Sequence, residues 1–252
     1  MKKKVLGVIP ARFESTRFPG KPLAKILGKT LIQRTYENAK KCEGLNDLVV
    51  ATDDQRIFDH VLTFGGKVVM TQLNCQTGTD RIAEVVFSNK EYDGYDTIIN
   101  IQGDEPCIET DVISKVIHAL DDQASMSTAV MKLESEFDAL DPSIVKCVFD
   151  KNGNALYFSR ALIPAGKALH YKPDVDYYRH LGIYCFKRDF LLKFATLTET
   201  PLQLAEDLEQ LKVLEHGYKI KVAIVHSISI GVDTPEDIKK IETILCKQNS
   251  FL

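Results

Sequence analysis

The segment Pro10–Pro22 gathers three cations (Arg12, Arg17 and Lys21), two hydroxyls (Ser15 and Thr16) and Gly20 into one short stretch. The two guanidinium groups offer paired donors to phosphate oxygens, the lysine supplies a point charge, and the glycine lets backbone N–H groups come close to an anion. The same composition also describes a solvated basic surface loop, and composition alone leaves both readings standing. The spacing matches neither G-x-G-x-x-G nor G-x-x-x-x-G-K-[ST], which argues against a dinucleotide fingerprint and against a P-loop.

Two carboxylates, Asp104 and Asp233, could supply hard oxygen ligands. Mg²⁺ takes one or two such groups and completes its shell with water and substrate phosphates. Taken one at a time, Asp104 also reads as a turn former before Pro106, and Asp233 as an acid at the start of a helix. Asp53-Asp54 and Asp121-Asp122 read mainly as acids at a strand end and a helix end. His60, His118, His170, His216 and His226 lack metal-ligand spacing, and the six cysteines form no C-x-x-C pair, so neither a zinc site nor a disulfide framework is indicated.

These groups need elements to position them. Short β-branched runs at Val5–Ile9, Leu48–Ala51, Lys67–Met70 and Thr97–Ile101 alternate with helical patterns at Leu31–Lys41, Gln55–Phe64 and Asp80–Ser88. The alternation predicts right-handed βαβ units in a doubly wound, mostly parallel sheet, covered by helices in a three-layer α/β/α arrangement. Ligands of such sheets bind beyond the carboxyl ends of the strands. Those ends are Pro10–Pro22, Thr52-Asp53-Asp54, Thr71–Thr79 and Gln102–Pro106. Further on, Ile144–Phe149 and Ala155–Ser159 flank a turn sequence and predict a small antiparallel excursion. A strand at Leu181–Phe186, a helix over about Leu202–Leu214, a strand at Lys219–Val225 and a helix capped by Thr234 complete the chain. No repeat or Pro/Gly-rich linker interrupts it, so 1–252 is expected to form one domain of two lobes, at about 1–106 and about 107–252.

With 32 basic and 35 acidic residues the net charge is -3, which provides no general attraction to nucleic acid. The apolar run after Met1-Lys2-Lys3-Lys4 is cut short by Pro10 and Arg12, so it reads as a first strand and not as a signal peptide. No apolar run reaches the ~18 residues of a membrane span. A soluble protein of the reducing cytoplasm, with no nucleic-acid or membrane partner, is the expectation.

The run I-P-A-R-x-x-S-T-R-x-P-G-K-P-L resembles the signature of the 3-deoxy-manno-octulosonate (Kdo) cytidylyltransferases. The likeness continues in Ala51-Thr52-Asp53, Gln76–Arg81, Asn100–Pro106, Tyr157–Arg160, Arg179–Tyr184, Leu208–Leu211 and Gly231–Asp237, across nearly the whole chain. It implies an enzyme that joins CMP from CTP to Kdo, releases pyrophosphate and forms CMP-Kdo for lipopolysaccharide biosynthesis. By the same likeness, Asp104 and Asp233 bind Mg²⁺ and act with Lys21 in catalysis. It places the nucleotide on Ala11, Arg12, Ser15, Arg17, Lys21, Thr52, Asp53, Thr77, Gly78, Arg81 and Gln102. The sugar acid falls to Gln102, Arg160, His180, Tyr184, Glu209 and Gln210, and a homodimer is implied.

Read without the likeness, Tyr184 is a core strand residue, His180 a satisfied strand-edge histidine, and Glu209 and Gln210 a solvated helix face. Thr77 and Gly78 start a helix, and Arg81 serves a helix-surface pair or a pocket. The chain departs from the family pattern at Phe18, in 164–170 and at Gln203. A cytidylyltransferase for another sugar acid such as sialic acid shares the nucleotide chemistry. A nucleotide-sensing protein or a glycosyltransferase on a similar sheet are the readings of a different class.

Overall fold

Val5, Leu6, Val8 and Ile9 are each 4% exposed or less, the burial expected of a strand covered on both faces. They open a fold seen in a computed structural model that describes residues 3–14, 17–75, 77–167, 170–227 and 231–249, the side chains of 247–249 excepted. The elements in order are β1 (Val5–Ala11), β2 (Lys25–Ile26), β3 (Lys29–Thr30), α1 (Leu31–Ala39), β4 (Asp47–Thr52), α2 (Gln55–Thr63), β5 (Val68–Met70), α3 (Gly78–Ser88), β6 (Thr97–Asn100) and α4 (Thr110–Ala119). Then come β7 (Met126–Lys132), α5 (Glu136–Leu140), β8 (Lys146–Phe149), β9 (Ala155–Ser159), β10 (Tyr178–Lys187), α6 (Arg188–Phe194), α7 (Pro201–Glu206), α8 (Glu209–Glu215), β11 (Ile220–Val225) and α9 (Pro235–Asn249). The fold class is the expected three-layer α/β with mostly parallel strands and a small antiparallel part.

The chain forms two compact units, Met1–Ile113 with Ile228–Leu252, and Ser114–Ser227. In the first unit β4 and β6 pair in parallel on either side of β1, and β5 pairs in parallel with β4. The path β1, β4, β5 runs outward in one direction and β6 returns to the other side of β1. The carboxyl ends of β1 and β6 therefore flank a topological switch point, where open α/β sheets bind ligands. Side chains secure the helix starts near these strand ends. Thr30 accepts from the backbone of Gln33, Asp54 from Arg56, and Thr77 forms a reciprocal capping box with Asp80. That box starts α3 at Gly78, two residues ahead of the run visible in the sequence. Helix α9 belongs to this unit through a cluster of Ile26, Leu31, Cys107, Val232 and Ile241.

In the second unit β11 runs parallel and β10 antiparallel to β7, β10 pairs antiparallel with β8, and β8 with β9. The expected hairpin is present, its turn built on Asp150 Oδ1, which accepts from the backbone of Asn152 and Asn154 at 2.8 Å each. Strand β7 escaped the sequence reading because Ser127 and Thr128 interrupt its apolar run, although both are fully buried. The single helix expected over about Leu202–Leu214 is instead two, α7 and α8. Asp207 takes a left-handed conformation (φ 53°) and ends the first, while the backbone N–H of Leu208 reaches back to the carbonyl of Gln203. Among the described residues, no helix is long and apolar enough to cross a membrane.

Candidate active site

A cavity of about 380 Å³ opens at the switch point of the first unit, with Ala11, Arg12, Arg17, Lys21, Gln102 and Asp104 among the residues that line it. The loop after β1 is closed by a bond from the backbone N–H of Gly20 to the carbonyl of Phe13, 2.8 Å. Gly20 holds φ +72°, a conformation that a side chain would strain. That closure delivers Lys21 to the first position of a short turn at Lys21–Leu23. Behind it, the β6 end meets the β1 end without room for a side chain. A Cβ on Gly103 would lie 2.7 Å from the carbonyl oxygen of Pro10.

Lys21 is the hub. Its Nζ donates to Asp104 Oδ2 at 2.8 Å and to the carbonyl of Val232 at 2.8 Å, and lies 3.9 Å from Asp233 Oδ1. Arg17 also reaches Asp233 Oδ1, at 3.0 Å. The two carboxylates expected to act together, 129 residues apart by number (233 minus 104), thus share one ammonium. The backbone N–H of Val232 donates to the carbonyl of Asp104 at 2.9 Å, which ties the two segments directly. Asp237 secures the second segment. Its Oδ2 accepts from the backbone of Asp233 at 3.1 Å and of Thr234 at 3.0 Å, and from the Thr234 hydroxyl at 3.1 Å. A bond to Lys240, together with these, holds the Asp237 carboxyl down at about 2. Thr234 was expected to cap α9 by its own side chain, yet here its hydroxyl donates to Asp237. Asp237 was not singled out in the sequence, although a hydroxyl residue followed three positions later by an acid is the capping-box signal.

Two carboxylates held near a shared cation make a hard-oxygen donor set. It fits a Mg²⁺ ion that takes most of its shell from phosphate and water. Among the described residues no group of three or more His, Cys, Asp and Glu converges to form a cage. Five of the six cysteines are buried. Burial, with a bond to Glu84, pushes the Cys75 thiol up to about 11, which suits no nucleophile.

Arg12 is half-buried and donates to the carbonyl of Cys75. Thr52 is buried at the end of β4, where its hydroxyl accepts from the backbone of Asp54 at 3.2 Å. Asp53 is paired with Arg81, which also donates to Thr71. Arg81 is fully buried, so the helix-surface pair is ruled out. Thr77 and Gly78 begin α3, with room for a Gly78 Cβ only 3.3 Å from Pro10 Cγ. Ser15 and Gln76 lie outside the described residues.

The residues expected at the sugar lie in the second unit, except for Gln102. The Arg160 Nε donates to the carbonyl of Glu206 at 2.9 Å, and the Glu206 carboxylate accepts from the Arg160 backbone at 2.9 Å and from the Ser159 hydroxyl at 2.6 Å. The break after α7 is what leaves that carbonyl available. The Arg160 carbonyl in turn accepts from the buried ammonium of Lys146 at 2.6 Å. Neither Glu206 nor Lys146 carried a signal in the sequence, since a charged residue is seldom buried. The Tyr184 hydroxyl donates to Gln210 Oε1 at 3.1 Å, while the buried Gln210 Nε2 has no partner among the described residues. A buried amide left unpaired costs about 1–3 kcal/mol. Gln210 is therefore no solvated helix face, and Glu209 is half-buried at the first position of α8. His180 is partly exposed and packs against Phe158 and Tyr184. Burial, and then the charge of Arg179, push its imidazole down to about 3.

The model of the cytidylyltransferase family matches residues 6–220. A 3-deoxy-manno-octulosonate cytidylyltransferase of Protochlamydia amoebophila is 59% identical, covering 100% of this chain and 98% of that protein. A mitochondrial protein of the same name from Arabidopsis thaliana is 50% identical, covering 98% and 85%. A solved structure of CMP:2-keto-3-deoxy-manno-octonic acid synthetase complexed with CTP superposes with a TM-score of 0.91 at 37% identity, over 98% of this chain and 100% of that one. A 4-diphosphocytidyl-2C-methyl-D-erythritol synthase from Anaerococcus prevotii, 14% identical with a TM-score of 0.65 over 97% and 96%, shares the fold.

Proposed function

The chain belongs to the cytidylyltransferase family, among the 3-deoxy-manno-octulosonate cytidylyltransferases, and on that premise we propose that it transfers CMP from CTP to the anomeric hydroxyl of Kdo. Pyrophosphate leaves, and the CMP-Kdo formed serves lipopolysaccharide biosynthesis. The observation that carries this reading is the Lys21 ammonium held on Asp104, with Asp233 beside it, at the carboxyl ends of β1 and β6. Such a cluster suits a polyanion that brings a divalent cation with it.

In this reading Arg12, Arg17 and Lys21 take the triphosphate, with Ala11 and Ser15 on the same loop. The α3 start at Thr77 and Gly78 reads the base, and Asp53, fixed by Arg81, borders the nucleotide with Thr52 and Gln102. Asp104 and Asp233 would hold Mg²⁺. Bound there, the ion would supply charge neutralisation to the triphosphate and acidity to the attacking hydroxyl. The anomeric oxygen bonds to the α-phosphorus in line as the bond to the β-phosphate oxygen breaks, and the hydroxyl proton passes to solvent. Lys21, turned from Asp104 to phosphate, balances the charge that gathers on the leaving pyrophosphate. Arg160 pairs with the sugar carboxylate, and Gln102, His180, Tyr184, Glu209 and Gln210 address the hydroxyls. The unpaired Gln210 amide supports a polar ligand there.

The protein is proposed to act in the cytoplasm as a homodimer paired through the β8–β9 hairpin, on which Leu156 stands 61% exposed. Pyrophosphate release from CTP, with Kdo or sialic acid and with each component omitted in turn, tests the reaction. Release is expected only with CTP, Kdo and a divalent cation together. Faster release with sialic acid would reassign the substrate, and none with either would refute the reading.

A further inference from the structure

Strand β10 is irregular beside His180. Its register with β7 jumps from Leu181↔Ala129 to Tyr184↔Thr128, a bulge of the kind that re-aims side chains next to binding sites. Thr128, fully buried in β7, lies opposite the bulge. Its Oγ1 is 2.8 Å from the carbonyl of Ile183, 3.2 Å from that of Leu181 and 2.9 Å from His180 Nε2.

A hydroxyl has one hydrogen. Two carbonyl oxygens this close to Oγ1 are tolerable only if that hydrogen points at them, since otherwise three oxygens would crowd together with no proton between any pair. The hydrogen is therefore spent on Ile183, with Leu181 sharing it. What remains for His180 is a lone pair, so Nε2 must carry the proton and donate. Nδ1, to which no hydrogen bond runs among the described residues, is then the unprotonated acceptor of a residue that is partly exposed. The imidazole pushed down to about 3 agrees, because a neutral ring has one acceptor nitrogen.

We infer that Thr128 locks His180 as the Nε2–H tautomer, so that Nδ1 accepts a hydrogen bond from a hydroxyl of the sugar acid. The second clause rests on the sugar-site reading of His180, while the first stands on hydrogen-bond geometry alone. Thr128 is a positioning residue: it touches no ligand and acts through the ring. The opposite tautomer would present an N–H, to which the same hydroxyl could only serve as acceptor, so the lock fixes the direction of that hydrogen bond.

The test uses the full-length protein labelled with ¹⁵N in histidine, with the His180 signals assigned from a His180→Ala variant, and steady-state kinetics with CTP and Kdo. In the wild type, Nε2 is expected to report as protonated and Nδ1 as bare. Thr128→Val, which keeps the shape and removes the hydroxyl, should release the tautomer. It should also raise KM for Kdo about tenfold, the loss of one hydrogen bond's worth of binding, with KM for CTP unchanged. Thr128→Ser should restore both. A wild-type ring protonated on Nδ1 would overturn the lock. So would a Thr128→Val protein that melts earlier but keeps both the tautomer and KM, because Thr128 would then serve only the bulge. An unchanged KM for Kdo in His180→Ala would overturn the acceptor role and the sugar-site reading with it, while the nitrogen signals would still decide the lock.

Discussion

Lys21 meets two carboxylates and a carbonyl through a single nitrogen, so the site proposed to take a polyanion is internally neutralised without one. Arg160 is arranged differently. Its Nε and backbone are bound to Glu206, and its carbonyl to Lys146, so the guanidinium is held in place without being cancelled by a close carboxylate; the Asp207 carboxylate stands at 4.0 Å and is almost fully exposed. An Arg160→Ala enzyme is expected to show KM for Kdo raised about tenfold to a hundredfold, the range for a charge-assisted bond, with KM for CTP unmoved. Separate saturation curves for the two substrates check this. At this scale residue types alone left Lys21 in a loop that could be plain surface and Asp104 a turn former, and only the family likeness singled out these two and Arg160. The sequence was silent on Glu206, Lys146 and Thr128, whose roles arise only from a helix break, a buried ammonium and a strand bulge that no local pattern encodes.

Among elements, the junction of β1 and β6 is the tightest point near the site. Gly103 follows β6 by a few residues and precedes Asp104, and a Cβ there would drive into the Pro10 carbonyl. Gly103→Ala should cost about 1–3 kcal/mol of stability, as overpacking does, and should lower turnover by displacing Asp104. Urea denaturation alongside the pyrophosphate assay would detect both. The parallel strands of the first unit were readable because each is an apolar run followed by a polar turn. The strand β7 was not, since Ser127 and Thr128 are buried for their hydrogen bonds and so hide the run. The break between α7 and α8 was equally hidden, because Asp207 is an ordinary helix-surface residue by type and only its left-handed backbone marks the end.

For the whole molecule, His180 links the proposed sugar site to stability. Its folded pKa, about 3, lies below the ordinary 6.5, so between those values the unfolded chain binds the proton and the folded chain does not. Stability from this group is therefore full above pH 6.5 and declines as pH falls toward 3. The urea midpoint should drop over that window, most cleanly above about pH 5, where carboxylates stay ionised. A His180→Asn protein should show a flatter profile. The family signature runs through both units, and the alternation of strands and helices foretold the class of fold. The likeness set Asp233 beside Asp104 and Lys21, but the division at about residue 106 put it in the other half, whereas the chain returns at 231–249 to pack Val232 and Ile241 into the first unit. The most direct test of that convergence is pyrophosphate release by Asp104→Asn beside the wild type, at saturating CTP, Kdo and Mg²⁺, with both proteins shown to melt alike. Turnover should fall by more than about a hundredfold, as when a charge-stabilising group is removed, whereas turnover within a few-fold of wild type would contradict the site described.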